Sequence, residues 1–406
     1  MAETFKALRV TDRVYWVGAI DWNVRNFHGY LTQRGSTYNA YLVLADKVTL
    51  VDTVKAPFFD EMMARIASVV DPQKIEVIIS NHAEMDHSGS LPRTIQALKP
   101  TAVYASKSGV NALEAHFHTD GKITSVADGQ QLDLGDETVT FAETKMCHWP
   151  DSMVSYLHKD QLLFSQDGFG MHLATAELFA DEVTPSVLQY EARKYYANIL
   201  LPLSKFVIRM LDKLETLNLP LQILAPDHGP IYRRQEDIQW ILGAYRCWAT
   251  QEPTRRAVVV YDTMWGSTGR MAHLIQEGLT QEGAEAKVMP IAGCHRSDIA
   301  TELLQAGALI VGSPTINNVM FPTVADVLTY IRGLRPKNMV AAAFGSFGWG
   351  GEAVKQVHDI LVDMGLEVIG DGLKVKYVPD ESALDKCRQL GADVARQMAT
   401  KTAQHA

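Results

Sequence analysis

Between positions 82 and 89 the chain reads His82-Ala83-Glu84-Met85-Asp86-His87-Ser88-Gly89, which sets four potential metal ligands within six residues. The segment follows directly on Ile75-Glu76-Val77-Ile78-Ile79-Ser80, an apolar run that reads as a buried strand ending at Asn81. Loops at strand ends carry function because a rigid sheet positions them. Alternate residues of an extended turn point the same way, so His82, Glu84 and Asp86 could converge while His87 serves a neighbouring ion. Three further candidates, His148, Asp167 and His228, stand where later strands end. Singly, each of these reads as a cap, a turn residue or a solvated charge.

A second constellation begins where the apolar run Val258-Val259-Val260-Tyr261 ends. Asp262 is followed by Thr263-Met264-Trp265-Gly266-Ser267-Thr268-Gly269 and a helical pattern. Hydroxyls and free backbone N–H groups at a helix N-terminus make a phosphate cradle. Serine and threonine in place of lysine suggest a monophosphate held without a metal. The chain has no G-x-x-x-x-G-K-[ST] run, so a nucleotide triphosphatase reading lacks its lysine. Two more loops follow the next central strands: Ser313-Pro314-Thr315-Ile316-Asn317-Asn318 and Ser346-Phe347-Gly348-Trp349-Gly350-Gly351. Both fall at carboxyl ends of strands, where an open α/β sheet binds ligands. Glycines there admit a flat ring, and Trp349 offers an aromatic face. Three such loops together favour a flavin.

The elements that must position these groups are legible in outline. Strand signals lie at Val14–Val17, Tyr38–Leu44, Val48–Asp52, Ile75–Ser80, Ala102–Tyr104, Val139–Thr144, Val154–Leu157, Leu162–Ser165 and Leu221–Ala225. Helical patterns run from Pro57 to about Val70, from Ser186 to Leu217 and from Gln235 to Trp248. The polar, proline-containing stretch Gln251–Arg256 marks the expected junction between domains 1–251 and 252–406. Beyond it, the apolar runs Ala257–Tyr261, Ala308–Gly312 and Met339–Phe344 alternate with helical stretches. That alternation predicts a parallel sheet covered on both faces, a doubly wound α/β unit of ordinary domain size.

Composition narrows the class. The 406 residues are 47% hydrophobic and 21% charged, enough for two sizeable cores, and the formal net charge of −9 argues against a nucleic-acid partner. The start of the chain, Met1 to Lys6, lacks the apolar core of a signal peptide. The richest apolar stretch, Ile199 to Leu211, is broken by Pro202, Lys205 and Arg209, so no membrane span is expected. Cys147, Cys247, Cys294 and Cys387 are scattered without a C-x-x-C pair, which speaks against a disulfide framework or a cysteine-built metal site. A reduced, cytoplasmic protein is the simplest expectation.

As a set, the N-terminal ligands resemble the metallo-β-lactamase pattern H-x-[HE]-x-D-H followed by His, Asp and His, over about residues 1–250. Enzymes of that fold that hydrolyse their substrates usually carry histidine where Glu84 stands. A carboxylate there makes the site harder and more anionic and favours iron over zinc. The C-terminal loops resemble flavodoxin, whose phosphate loop has the form T-x-T-G-x-T, with Trp265 in place of the middle threonine. Together these features identify the chain as resembling the flavodiiron proteins. The resemblance implies an N-terminal αββα sandwich and a C-terminal flavodoxin-like sheet. It implies that His82, Glu84 and His148 hold one iron, that Asp86, His87 and His228 hold the other, and that Asp167 bridges them. It implies FMN, rather than FAD, on the three loops. His28, Tyr195 and Tyr196 resemble the family's neighbouring groups that donate a hydrogen bond or proton to substrate.

Fusion of the two halves argues for electrons passing from FMN to a metal pair that reduces something small, which redox-inert zinc could not use. The expected reaction is reduction of O2 to water, or of NO to N2O. The resemblance further implies a head-to-tail homodimer, or a dimer of such dimers, that pairs one subunit's FMN with the other's irons. The chain reaches Ala406 without the four-cysteine module of some longer relatives, so the donor is expected to be external, a rubredoxin or a reduced deazaflavin. The rival readings are a di-zinc hydrolase with an accessory flavodoxin domain and a flavin electron carrier with a structural metal. Glu84 and the intact flavin loops weigh against the first, and seven ligands exceed what a closed structural site needs.

Overall fold

The computed structural model of the chain describes residues 5–119 and 121–405. Residues 1–4, part of the segment read for a signal peptide, lie outside them. The chain divides into two compact units, one built mainly from residues 32–195 and 203–246 and the other mainly from Cys247 onward. The short stretches 29–31 and 196–202 group with the second.

In the first unit, seven strands run in the order Leu8–Arg9, Val14–Trp16, Tyr41–Val43, Val48–Val51, Ile75–Ser80, Ala102–Ser106 and Thr124–Val126. The pairing is antiparallel at first and parallel from Val48–Val51 onward. A second sheet of five strands comprises Gln131–Asp133, Thr138–Glu143, Met153–Leu157, Leu162–Gln166 and Ile223–Pro226. Alternation along each strand sorts the side chains to two faces. Val51, Val77 and Ile79 point inward and pack with Phe141, Met153, Leu157 and Phe164 of the other sheet. Leu50 and Ile78 point outward, beneath Met62, Ile66, Leu91 and Leu113 of the covering helices. On the far side, helices Ser204–Leu217 and Gln235–Thr250 lie over the outer face of the second sheet. The result is the expected αββα sandwich.

Two local readings differ from expectation. The helix anticipated over Ser186–Leu217 is broken: Pro185–Tyr195 is α-helical, Tyr196–Leu200 widens into a π turn, Leu201–Leu203 tightens, and Ser204–Leu217 resumes. Pro202 lacks a backbone N–H to continue the ladder, and its ring crowds the preceding turn. The helices Leu91–Leu98 and Lys107–Phe117 were not anticipated. Both are short, and a pattern of only two or three turns is hard to tell from a loop.

The second unit is a parallel sheet in the order Glu285–Pro290, Arg256–Tyr261, Ala308–Gly312, Val340–Phe347 and Glu367–Val368, with Leu373–Lys376 also pairing with Val340–Phe347. Val258 and Val260 face Val324, Leu328, Val354 and Leu361 of the helices on one side. Ala257 and Val259 face Met271, Ile275, Leu279 and Val394 on the other. The chain starts in the interior of the sheet and reverses direction between Arg256–Tyr261 and Ala308–Gly312, the position where doubly wound sheets bind ligands. Among the described residues no helix is long and apolar enough to cross a membrane. All four cysteines are free thiols.

Candidate metal centre and flavin cradle

The segment after Ile75–Ser80 is fixed before its side chains do anything. Asn81 donates from its backbone N and its Nδ2 to the Asp52 carboxylate, at 2.6 and 2.8 Å, and accepts from Ser155 at 2.5 Å. Thr53 Oγ1 donates to the His87 carbonyl and Ser88 Oγ to that of Ala83. Glu84 is extended, but a single helical turn, Met85–Ser88, starts immediately after it. The alternation expected to bring Asp86 beside His82 and Glu84 therefore stops one residue early. Asp86 and His87 swing onto the helical turn and meet His228 instead, which corrects the alternation-based grouping.

Two sets of side chains result. In one, His82 Nε2, Glu84 Oε2, His148 Nε2 and Asp167 Oδ2 converge, with separations from 2.8 Å (His148–Asp167) to 3.4 Å (His82–Asp167). In the other, Asp86, His87 and His228 converge. Here His87 Nε2 stands 3.1 Å from His228 Nε2, and His228 Nε2 stands 3.2 Å from Asp86 Oδ2. Asp167 turns its second oxygen to this set, with Oδ1 at 3.1 Å from His87 Nε2 and 3.4 Å from His228 Nε2. One carboxylate thus offers an oxygen to each group.

The remaining ligand-bearing loops owe their shape to strand ends. Asp167 follows Leu162–Gln166, and its N–H is taken by the Gln166 side chain at 2.6 Å. His228 follows Ile223–Pro226 and precedes Gly229, whose φ is +76°. A Cβ at Gly229 would lie 2.7 Å from Met171 Cγ, so the turn that aims His228 requires glycine.

Such a set is costly to bury without a counter-ion. His82, Asp86, His87, Asp167 and His228 are each under 5% exposed, and an ion removed from water costs several kcal/mol. Both oxygens of Asp86 and one of Asp167 lack a hydrogen-bond partner among the described residues. Burial disfavours a charged imidazole at His148, yet hydrogen bonds with Asp167 and Glu84 outweigh it and hold the ring up at about 9. Burial likewise opposes ionisation of Glu84, but His148 and His82 hold its carboxyl well below the usual range. The pocket is an anionic field that demands cations. Ligand atoms 2.8–3.5 Å apart suit donors about 2.0–2.2 Å from a shared ion, so the residues fit a two-metal centre.

Around the ligands the structure adds groups that spacing did not reveal. Asp151 accepts from the Ala83 N–H at 2.6 Å and pairs with His82 Nδ1 at 3.1 Å. His228 Nδ1 donates to the Thr37 carbonyl at 2.6 Å. His172 is buried with its ring 4.6 Å from that of His228 and its Nδ1 2.8 Å from Ser36 Oγ. No local signal could have found these, since they join positions 68 to 191 residues apart. Of the three neighbouring groups expected, His28 places Nε2 3.1 Å from Glu84 Oε1 with its side chain 75% exposed. Tyr195 is buried with its ring 6.1 Å from His228, and its hydroxyl has no hydrogen-bond partner among the described residues. Tyr196 groups with the second unit, where its ring packs 5.3 Å from Trp248. Cys147 is an inert, buried thiol, pushed up to about 12 by burial.

In the second unit the three loops line one cavity of about 770 Å³, bounded by Met264, Trp265, Ser267, the run Pro314 to Asn318 and the run Ser346 to Gly350. That volume lies within the roughly 300–1,000 Å³ range of cofactor sites. The first loop is tied by Thr263 Oγ1, which accepts from the Gly266 N–H at 3.1 Å. It leads into helix Ser267–Gln281, whose first-turn N–H groups are free for an anion. Thr268, fully buried, bonds Ser346 Oγ at 2.9 Å and so joins the first loop to the third. Asn317 and Asn318, both at positive φ, close a hairpin between Thr315–Ile316 and Val319–Met320. Ser313 is buried and accepts from the Phe321 N–H at 2.9 Å, so it shapes its loop rather than lining the cavity. Gly351 lies just beyond the rim. Tyr377 and Val378, 61% and 70% exposed, also line the cavity and escaped the sequence reading because their loop carries no glycine or hydroxyl signature.

Comparison with known proteins agrees with both halves. Residues 37–229 match the model of the ODP family beta lactamase, and residues 259–391 match that of flavodoxin. The chain is 42% identical over 400 residues to a rubredoxin-oxygen oxidoreductase of Megalodesulfovibrio gigas, covering 98% of this chain and all of that one. It is also 42% identical to a nitric oxide reductase of Moorella thermoacetica, covering 96% and 98% of the two chains. Among solved structures, the flavodiiron protein of Giardia intestinalis superposes with a TM-score of 0.96 at 32% identity, over the whole of both chains. Ligand set, flavin cradle and full-length similarity converge: the chain belongs to the flavodiiron protein family.

Proposed function

We propose that this chain is a flavodiiron oxidoreductase that reduces O2 to water or NO to N2O, drawing electrons through FMN from an external donor. The observation that carries the reading is the pairing of two buried ligand sets sharing Asp167 with an intact flavin cradle in the same chain. His82, Glu84, His148 and Asp167 would hold one iron, and Asp86, His87, His228 and Asp167 the other. The phosphate of FMN would meet Ser267, Thr268 and the helix N-terminus behind them. Bound there, iron and FMN supply sites for a diatomic ligand and the electrons that reduce it.

The chain's own residues do the rest. Asp151 orients His82, and the Thr37 carbonyl orients His228, so each Nε2 is aimed before a metal arrives. Reduction of O2 to water consumes four protons, and Tyr195, whose ring lies 6.1 Å from that of His228, has a buried, uncommitted O–H. Burial, with the charge of Asp167, keeps that phenol protonated, as a donor must be. His28, three-quarters exposed, is placed to relay protons to the edge of Glu84.

Several finer points belong to the same proposal. Trp265 and Trp349, 94% and 90% exposed, rim the flavin cavity, and Met85, 57% exposed, lies between two metal-site carboxylates. Exposed apolar rims at both redox sites suit a head-to-tail homodimer in which each covers the other. A rubredoxin is the proposed donor because a relative of this length is named for it. The free thiols fit a cytoplasmic location. The test is metal and flavin analysis of anaerobically purified protein, followed by O2 and NO consumption with reduced rubredoxin. About two irons and one FMN per chain with turnover of either gas is the expected result. Zinc without flavin, in iron-replete cells, would leave the di-zinc hydrolase.

A further inference from the structure

Three of the histidines near the metal sets have their second ring nitrogen, Nδ1, turned into the protein, and the three are held differently. His82 Nδ1 pairs with Asp151 at 3.1 Å, and His228 Nδ1 with the Thr37 carbonyl at 2.6 Å. His87 Nδ1 is buried and has no hydrogen-bond partner among the described residues. Asp227 faces it, with Oδ2 at 3.7 Å. Asp227 is fully buried, and neither of its oxygens has a hydrogen-bond partner either. Its backbone is pinned, with N donating to the Gln166 carbonyl at 2.8 Å and O accepting from the Asn39 N–H at 2.7 Å. The neighbouring buried carboxylate, Asp52, is by contrast saturated by Asn81. An unpaired carboxylate in such a place costs several kcal/mol, and an unpaired imidazole N–H beside it adds to that cost.

We propose that Asp227 is the positioning residue for His87. When His87 Nε2 is directed at a metal ion, its Nδ1–H is given to Asp227, and both buried groups are satisfied in one step. The contact is longer than that of Asp151 with His82, 3.7 against 3.1 Å. The inference rests on the two-metal reading above. It assigns Asp227 to the ion of Asp86, His87 and His228 alone, and Asp151 to the other.

The test uses the full-length, FMN-loaded chain, stripped of metal with a chelator and titrated anaerobically with Co(II), whose visible bands report coordination at each ion. In Asp227→Asn one equivalent should bind as in the wild type and the other about 10–100-fold more weakly, the usual effect of losing a backing group. Asp151→Asn should weaken the opposite equivalent. If Asp227 acts through His87, adding Asp227→Asn to His87→Ala should change nothing further. Equal weakening of both equivalents, as general misfolding would give, overturns the proposal. So do unchanged affinities and bands in Asp227→Asn, or a further loss in the double variant. A wild type that takes up fewer than two equivalents would overturn the two-metal reading, and this inference with it.

Discussion

The two cofactor regions of this chain are built on opposite principles. At the candidate metal centre, side chains would do the binding and are buried: five of the seven candidate ligands are under 5% exposed, in loops locked by Asn81, Thr53 and Ser88. At the flavin cradle, backbone and hydroxyls would do the binding, and the large side chains stand open, with Trp265 and Trp349 at 94% and 90% exposure. The difference follows from the ligands. A metal ion repays the desolvation of carboxylates and imidazoles, so its site can sit between two sheets. A flavin is a large, flat molecule that exchanges electrons with a partner, so its site must keep one edge accessible.

Four substitutions test how separate the two regions are. The largest effect is expected for Asp167→Ala, which removes an oxygen from both ligand sets. Affinity for each ion should fall by at least about 100-fold, and iron analysis should show loss of both while FMN content stays near one per chain. Retention of one iron would show that Asp167 serves a single ion. Next comes Tyr195→Phe, which keeps the ring against His228 and removes only the O–H. Turnover should fall about 100-fold, the lower end for loss of a general acid, with iron and FMN unchanged; an unaltered rate would take Tyr195 out of proton supply.

Thr268→Val tests the other region. It breaks the bond to Ser346 and removes a hydroxyl from the phosphate side, so FMN should bind about 10-fold more weakly, roughly one hydrogen bond's worth. Flavin fluorescence titration reads this directly. A parallel loss of iron would mean that the two regions are not independent. The smallest effect is expected for His28→Ala. Its side chain is 75% exposed, and exposed pairs contribute about 0.2–1 kcal/mol, so iron affinity should drop no more than about five-fold.

Much of this could be read from the chain itself, where the signal is local. The ligand cluster after Ile75–Ser80 is a short string of residue types, and the three flavin loops each follow an apolar run. Alternating strand and helix patterns sufficed for the doubly wound sheet, because each buried strand announces itself within six or eight residues. Local patterns misled where geometry changes within a turn. Asp86 belongs with His87 and His228 because helical winding starts at Met85, and Pro202 interrupts what reads as a continuous helix.

Sequence alone determined the types of chemistry: imidazole and carboxylate for a metal pair, hydroxyl and glycine loops for a flavin phosphate, and a carboxylate at Glu84 in place of histidine. Only the tertiary structure decided which groups stand behind the ligands. Asp151 backs His82 across 69 positions, Thr37 backs His228 across 191, and His172 reaches Ser36 across 136. Those pairings come from the closure of two sheets on one another, and no spacing along the chain encodes them, because contact across a sandwich depends on strand order and register rather than on separation in sequence.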